Sequence, residues 1–226
     1  MGKSRGPQPE ITWAPPGNHV GWQAEENAQL KVNIVLSQIR PHFLFNSLAV
    51  IQEICRTDPA LAETAIGQFA RYLRHNMDAL TTDKMILFTT ELEHARCYAA
   101  LQQLRFGDAL QFEYDLPCTS FTLPTLTLQP LIENAVTHGV RGNSDGCGTV
   151  LIRTREYPDR FELSVEDDGP GFQPEVTPQD GRSHIGIQNV RSRLKWACGG
   201  TLRIESAPGR GTVATIVLPK EGEGLC

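Results

Sequence analysis

The hydrophobic repeat of this chain changes period at Gly107. Before it, Leu30, Ile34, Ile39, Phe43, Leu48 and Ile51 trace one helical stripe with little drift. After it, Ala109 to Leu116 alternates as a strand does, and four more segments read as strands: Thr149–Glu156, Arg160–Glu166, Thr201–Ser206 and Thr212–Leu218. A chain that runs helices first and most of its strands second is expected to fold as α+β: a helical module followed by an α/β sandwich.

Local signals place the elements. The first helix spans 28–56, with Pro41 removing one backbone bond and kinking it. Asp58 is a predicted N-cap and Pro59 a first helical residue, opening a second helix to about Ala79. A third helix follows Thr89 or Thr90, with Thr90 and Glu93 forming a capping box, and ends at Phe106 with Gly107 as C-cap. Residues 28–106 are therefore expected to be all-helical. Two later helices are expected at Pro124–His138 and Ile185–Cys198, the latter stopped by Gly199-Gly200. Tyr157-Pro158-Asp159 reads as a hairpin turn, 172–184 as a polar loop, and the Pro- and Gly-rich residues 1–27 as a linker or tail.

Composition excludes several classes. The chain has 226 residues, 40% of them hydrophobic, which suits a globular protein. Its net charge of -5 offers no broad basic field for nucleic acid. No apolar run approaches the ~20 residues that cross a bilayer. The start, MGKSRGPQPE, lacks the apolar segment of a signal peptide, and Gly6 stands where myristoylation needs Ser or Thr. The six cysteines show no C-x-x-C spacing. That argues against a zinc site or disulfide scaffold and fits reduced thiols in a cytoplasm.

Three stretches carry chemistry. In Leu128–Gly139 (LQPLIENAVTHG) the apolar residues line one helix face, and Glu133 and Asn134 lie off it. Asn is disfavoured inside helices because its side chain competes for backbone bonds. Val165–Phe172 (VEDDGPGF) ends a strand in Asp-Gly-x-Gly, and Gly186 leads a predicted helix. Together a polar helix, such a turn and a Gly-led helix can hold a nucleotide and its metal. Asn134 offers Mg2+ a neutral carbonyl oxygen. Glu133, about 100° round the helix, can orient a water or take a proton, or simply face solvent. Asp168 is the candidate adenine reader, accepting from the exocyclic amine. Gly169 and Gly171 let the backbone turn sharply beside the ligand. Gly186 would open a helix whose unpaired N–H groups face the phosphates, with 172–184 as a lid. His42 is a candidate nucleophile, with Asn46 one turn later on the same face.

These residues carry a resemblance. Glu133–Ala135, Asp167–Gly171, Gly186–Leu194 and Gly209–Thr212 resemble the boxes of the Bergerat-type ATP-binding fold shared by gyrase, MutL-type proteins and histidine kinases. Gln38–Leu48 (QIRPHFLFNSL) resembles the phosphoacceptor box of LytS-type sensor histidine kinases, and Tyr98–Phe106 their joining segment. The resemblance implies ATP and Mg2+ as ligands, Asn134 as metal ligand, Thr212 near the adenine edge and His42 as phosphoacceptor. The chain departs from the family at Thr137 (usually Lys), His184 (usually Gly) and Ala49 (often Asn), and no acidic residue follows His42.

The expected organisation is a linker or tail at 1–27, a helical dimerisation and phosphotransfer module at 28–107, and an ATP-binding domain at 108–220. The expected partners are a second copy of the chain, a response regulator and an upstream sensor region. The departures motivate an alternative: an ATP-binding pseudokinase or phosphatase-biased regulator acting by contact. A gyrase-like ATPase clamp is disfavoured, because it needs a carboxylate one turn before the Asn, and position 130 is Pro.

Overall fold

The computed structural model describes residues 41–79, 84–139, 142–143, 146–173 and 181–220. The expected linker, the helix upstream of Pro41 and most of the 172–184 loop lie outside the described residues.

Helix α1 (Pro41–Thr57) ends at Asp58, whose carboxylate accepts the Leu61 N–H at 3.0 Å. This is the expected N-cap, and α2 (Pro59–Ala79) follows it directly. Strand β1 (Met85–Leu87) comes next, so the region to Phe106 is not all-helical. Helix α3 (Phe88–Phe106) starts earlier than the capping box predicts. Its start is set instead by the tertiary bond from the Phe88 N–H to the Phe121 carbonyl, 2.9 Å. Gly107, at φ 57°, ends it as expected.

Strands β2 (Leu110–Asp115) and β3 (Thr122–Pro124) lead into α4 (Leu128–Asn134). The helix predicted from Pro124 therefore starts later, because β3 pairs with β1. A wide π turn, Ala135–Gly139, extends α4. The rest is β4 (Gly148–Glu156), β5 (Arg160–Asp167), α5 (Gly181–Cys198), β6 (Thr201–Ser206) and β7 (Thr212–Pro219).

The main sheet has the order β2-β4-β5-β7-β6, parallel only between β2 and β4. One face is apolar: Val150, Ile152, Leu163, Val165 and Ile216 are at most 2% exposed. They share a core with Leu131, Ile132 and Val136 from α4 and its turn, and with Val190 and Leu194 of α5. The opposite face carries ion pairs, such as Arg153 with Glu166 at 2.7 Å and Arg160 with Glu162 at 2.8 Å. One buried and one solvated face is the usual antiparallel arrangement. The core runs on into the helices through Phe43, Tyr72 and Tyr98, whose rings cluster within 4.7 to 6.1 Å. Among the described residues no helix is long and apolar enough to cross a membrane.

The start of α4 is held by a distant residue. Thr127 gives α4 no side-chain cap. Glu91 of α3 does that work: its carboxylate accepts the N–H groups of Thr127 (2.8 Å), Leu128 (3.1 Å) and Leu126 (3.3 Å). Glu91 is fully buried, and burial pushes its pKa up against the pull of those donors. Arg193 donates to the carbonyls of Thr125 (2.5 Å) and Leu126 (3.1 Å). Together they brace Leu126, which has a positive φ of 53°. Replacing Glu91 with Ala leaves three buried N–H groups unpaired. The expected loss is about 3 kcal/mol or more, seen as a lower urea midpoint.

Candidate nucleotide and phosphoacceptor sites

The nucleotide-site candidates converge where β5 ends. Alternate residues of β5 point to the buried face, so Asp167 continues the row of Leu163 and Val165. Its carboxylate accepts the Gly169 N–H at 3.1 Å and the Thr212 N–H. Burial is the main cause that raises its pKa to about 6, with the neighbouring Asp168 charge adding to it. A half-buried carboxylate surrounded by backbone is suited to reading a hydrogen-bond donor edge.

The sequence points to Asp168 for that role, and the two carboxylates stand in different surroundings. Asp168 is exposed, and its Oδ1 accepts the Thr149 N–H at 2.8 Å, closing the start of β4. The signal that finds Asp167 is the two-residue period of β5, which sends Asp167 inward and Asp168 outward.

Glycines make the approach possible. A Cβ on Gly169 would run into the Gly139 backbone, and one on Gly139 would lie 2.5 Å from the Asp167 carboxylate. Gly139 was not singled out in the sequence. It ends the π turn, a feature frequent at functional sites, and that turn brings it beneath Asp167. Gly171 has φ 62°, where an L side chain is strained, and a Cβ there would strike the Ala207 carbonyl. Gly169→Ala is therefore expected to separate β5 from the π turn. A drop in melting temperature of several degrees, with loss of nucleotide binding, would be read by thermal denaturation.

Asn134 is the last residue of α4 and is half-buried. Glu133 beside it accepts the Gln129 amide at 2.9 Å, and the same amide nitrogen lies 3.2 Å from Asn76 Oδ1 on α2. Glu133 is thus tied to the helical layer. Thr212 is half-buried at the start of β7, its Oγ1 3.1 Å from Ser206 Oγ. Ser206 also donates to the Gly211 carbonyl at 2.8 Å and accepts the Phe172 N–H at 2.9 Å. It is a bracing residue that the sequence reading missed.

The expected helix start at Gly186 is corrected. Helix α5 begins at Gly181, so Gly186 sits inside it and does not open it. The unpaired donors belong to the first turn, 181–184. The expected lid residues 174–180 lie outside the described residues.

His42 and Asn46 stand together on α1. His42 is exposed, and Asn46 Nδ2 lies 2.9 Å from its Nδ1. Phe43, the next residue, is buried against Tyr72 and Tyr98, which fixes the helix face that shows His42 to solvent.

Comparison with known proteins places both groups in families. Residues 30–110 match the profile described as "Histidine kinase". Residues 123–222 match "Histidine kinase-, DNA gyrase B-, and HSP90-like ATPase". A histidine-bearing helical segment in front of such an ATPase domain is the make-up of a histidine kinase. Putative uncharacterized protein YwpD of Bacillus subtilis (strain 168) is 32% identical over 200 residues, covering 86% of this chain and 72% of that one. Sensor histidine kinase YpdA of Escherichia coli (strain K12) is 37% identical over 174 residues, 74% of this chain and 30% of that one. Sensor protein LytS of Bacillus subtilis (strain 168) is 28% identical over 209 residues, 85% of this chain and 35% of that one. The chain belongs to the histidine kinases, with LytS sensor proteins among its relatives. It spans about a third of the length of the two sensor proteins named here.

Proposed function

We propose that this chain is the kinase core of a two-component sensor, taking a phosphoryl group from Mg-ATP onto His42 and passing it to an aspartate of a response regulator. The observation that carries this reading is Asp167, a carboxylate enclosed by Gly139, Gly169 and the Thr212 N–H, with its pKa raised to about 6. In this reading Asp167, in place of Asp168, accepts from the adenine amine, and Gly169, Gly171 and Thr212 shape the walls. Asn134 supplies a carbonyl oxygen to Mg2+, which when bound neutralises phosphate charge. The residues present fit both groups: a cradle that a Cβ would fill, and a neutral oxygen donor on the adjoining helix.

At His42 a ring nitrogen attacks the γ-phosphorus. The N–P bond forms as the bond to ADP breaks, and ADP leaves with the electron pair. Asn46 Nδ2 lies 2.9 Å from Nδ1 and 3.2 Å from Nε2, so in this reading it orients the ring and swings away from the nitrogen that attacks. Glu133 is a catalytic candidate only if it leaves Gln129.

Dimerisation is supported by apolar side chains left on α1 and α2: Phe45 is 72% exposed, and Leu48, Ile66 and Met77 at least 50%. The proposed domain division at 107/108 rests on Gly107, which ends α3; the family matches run over 30–110 and 123–222. A sensor region upstream, a cytoplasmic location and a response-regulator partner belong to the same proposal. The test is incubation with γ-labelled ATP and Mg2+. Acid-labile, base-stable label on the protein is expected. ATP-dependent thermal stabilisation without label would favour the pseudokinase reading.

A further inference from the structure

We propose that His75, Glu91 and His94 form a binding site for a divalent transition metal, of which Zn2+ suits the donor set best. His75 stands on α2, and Glu91 and His94 on α3. One ligand atom from each lies within 4.8 Å of the others. A tetrahedral ion with donors at about 2.0–2.2 Å needs them about 3.3 Å apart. The proposal requires the His75 and His94 side chains to rotate to close that gap.

Two nitrogens point to a ligand. His75 Nε2 and His94 Nδ1 are both buried without a hydrogen-bond partner among the described residues. His75 is only 8% exposed, so its nitrogen has no bulk water to turn to. The pair does not satisfy itself, because His75 Nε2 is 3.8 Å from Glu91 Oε2, beyond hydrogen-bond reach. The imidazoles are stacked, with centroids 3.2 Å apart at 23°, so the rings must turn out of this stack for both in-plane lone pairs to meet one ion.

The charge state suits a cation. A neutral imidazole offers a lone pair to a metal ion. Glu91 Oε1 takes the two shorter backbone bonds, while Oε2 takes the 3.3 Å one from Leu126 and lies 3.8 Å from His75 Nε2. Burial resists the charge on Glu91, and a dication beside it offsets that.

Access is through a cleft of about 700 Å³ that includes His75, His94, Arg74 and Cys97 in its lining. Two imidazoles and a carboxylate occupy three positions of a zinc ion and leave the fourth to water from the cleft. A bound ion would join α2 to α3. Through Glu91 it would also hold the start of α4, the helix that carries Asn134. This inference does not depend on the kinase reading.

The test uses the full chain, stripped with a chelator and free of nucleotide. Titration with Co2+ is expected to give one bound ion with visible d–d absorption, and Zn2+ should displace it and raise the melting temperature by several degrees. His94→Ala, the half-buried ligand and the one least needed for folding, should weaken binding at least tenfold and remove the shift. His94→Asp should restore part of both, and Cys97→Ser should keep them. No shift in the parent overturns the site, leaving a bound water as its occupant. So does unchanged binding in His94→Ala, or loss of binding in Cys97→Ser.

Discussion

Asp167→Asn is expected to lower Mg-ATP affinity tenfold to a hundredfold while making the free protein more heat-stable above pH 7. The affinity term follows from losing a charge-assisted hydrogen bond, about 1.5–3 kcal/mol. The stability term follows from linkage. The folded pKa of Asp167 is raised to about 6 by burial, against about 3.9 in an unfolded chain. Between those values the folded state holds more protons. The contribution of this group is therefore present at low pH and is lost as pH rises from about 4 to 6. Above that window the protein carries a charged, half-buried carboxylate. Asn removes the charge and still accepts from Gly169 and Thr212. Calorimetric titration measures the first effect, and melting curves at pH 5 and pH 8 the second. The parent should gain less from Asn at pH 5 than at pH 8. If Asp168→Asn abolishes ATP binding and Asp167→Asn does not, the assignment of the adenine reader is wrong.

His42→Ala is expected to abolish acid-labile labelling, by more than a hundredfold, with ATP affinity unchanged. His42 is exposed on α1, and its polar partner is Asn46 one turn away, so its removal empties no core space. Loss of label with an intact melting curve would isolate the chemical role. Asn46→Ala should act more weakly, about tenfold, because it removes an orienting bond and leaves the nucleophile in place. Equal label in His42→Ala and the parent would move the phosphoacceptor elsewhere.

Much of this was legible in the chain. Asp58 followed by Pro59, Gly107 after Phe106 and the Tyr157–Asp159 turn are local devices, and each sits where the local rules put it. The Bergerat-type boxes and the phosphoacceptor box lie within the matched families. The misreadings have a common cause. The start of α3 came from strand pairing rather than a capping box, and the start of α4 from Glu91. The helix before Gly186 extends back to Gly181, beyond the glycine that suggested a start. In each case a contact between distant residues, or a helix run longer than its punctuation, outweighed the local signal.

The residues alone determined the helical and mixed halves, the boxes and the candidate nucleophile, because period, capping and turn chemistry act within a few positions. Only the folded chain decided that Asp167 faces inward and Asp168 outward, that Gly139 lies beneath it, and that Glu91 caps a helix begun more than thirty positions later. It also brought His75 to His94. Those outcomes depend on which side chains lose water together, and burial is a property of packed elements that no short stretch of chain contains.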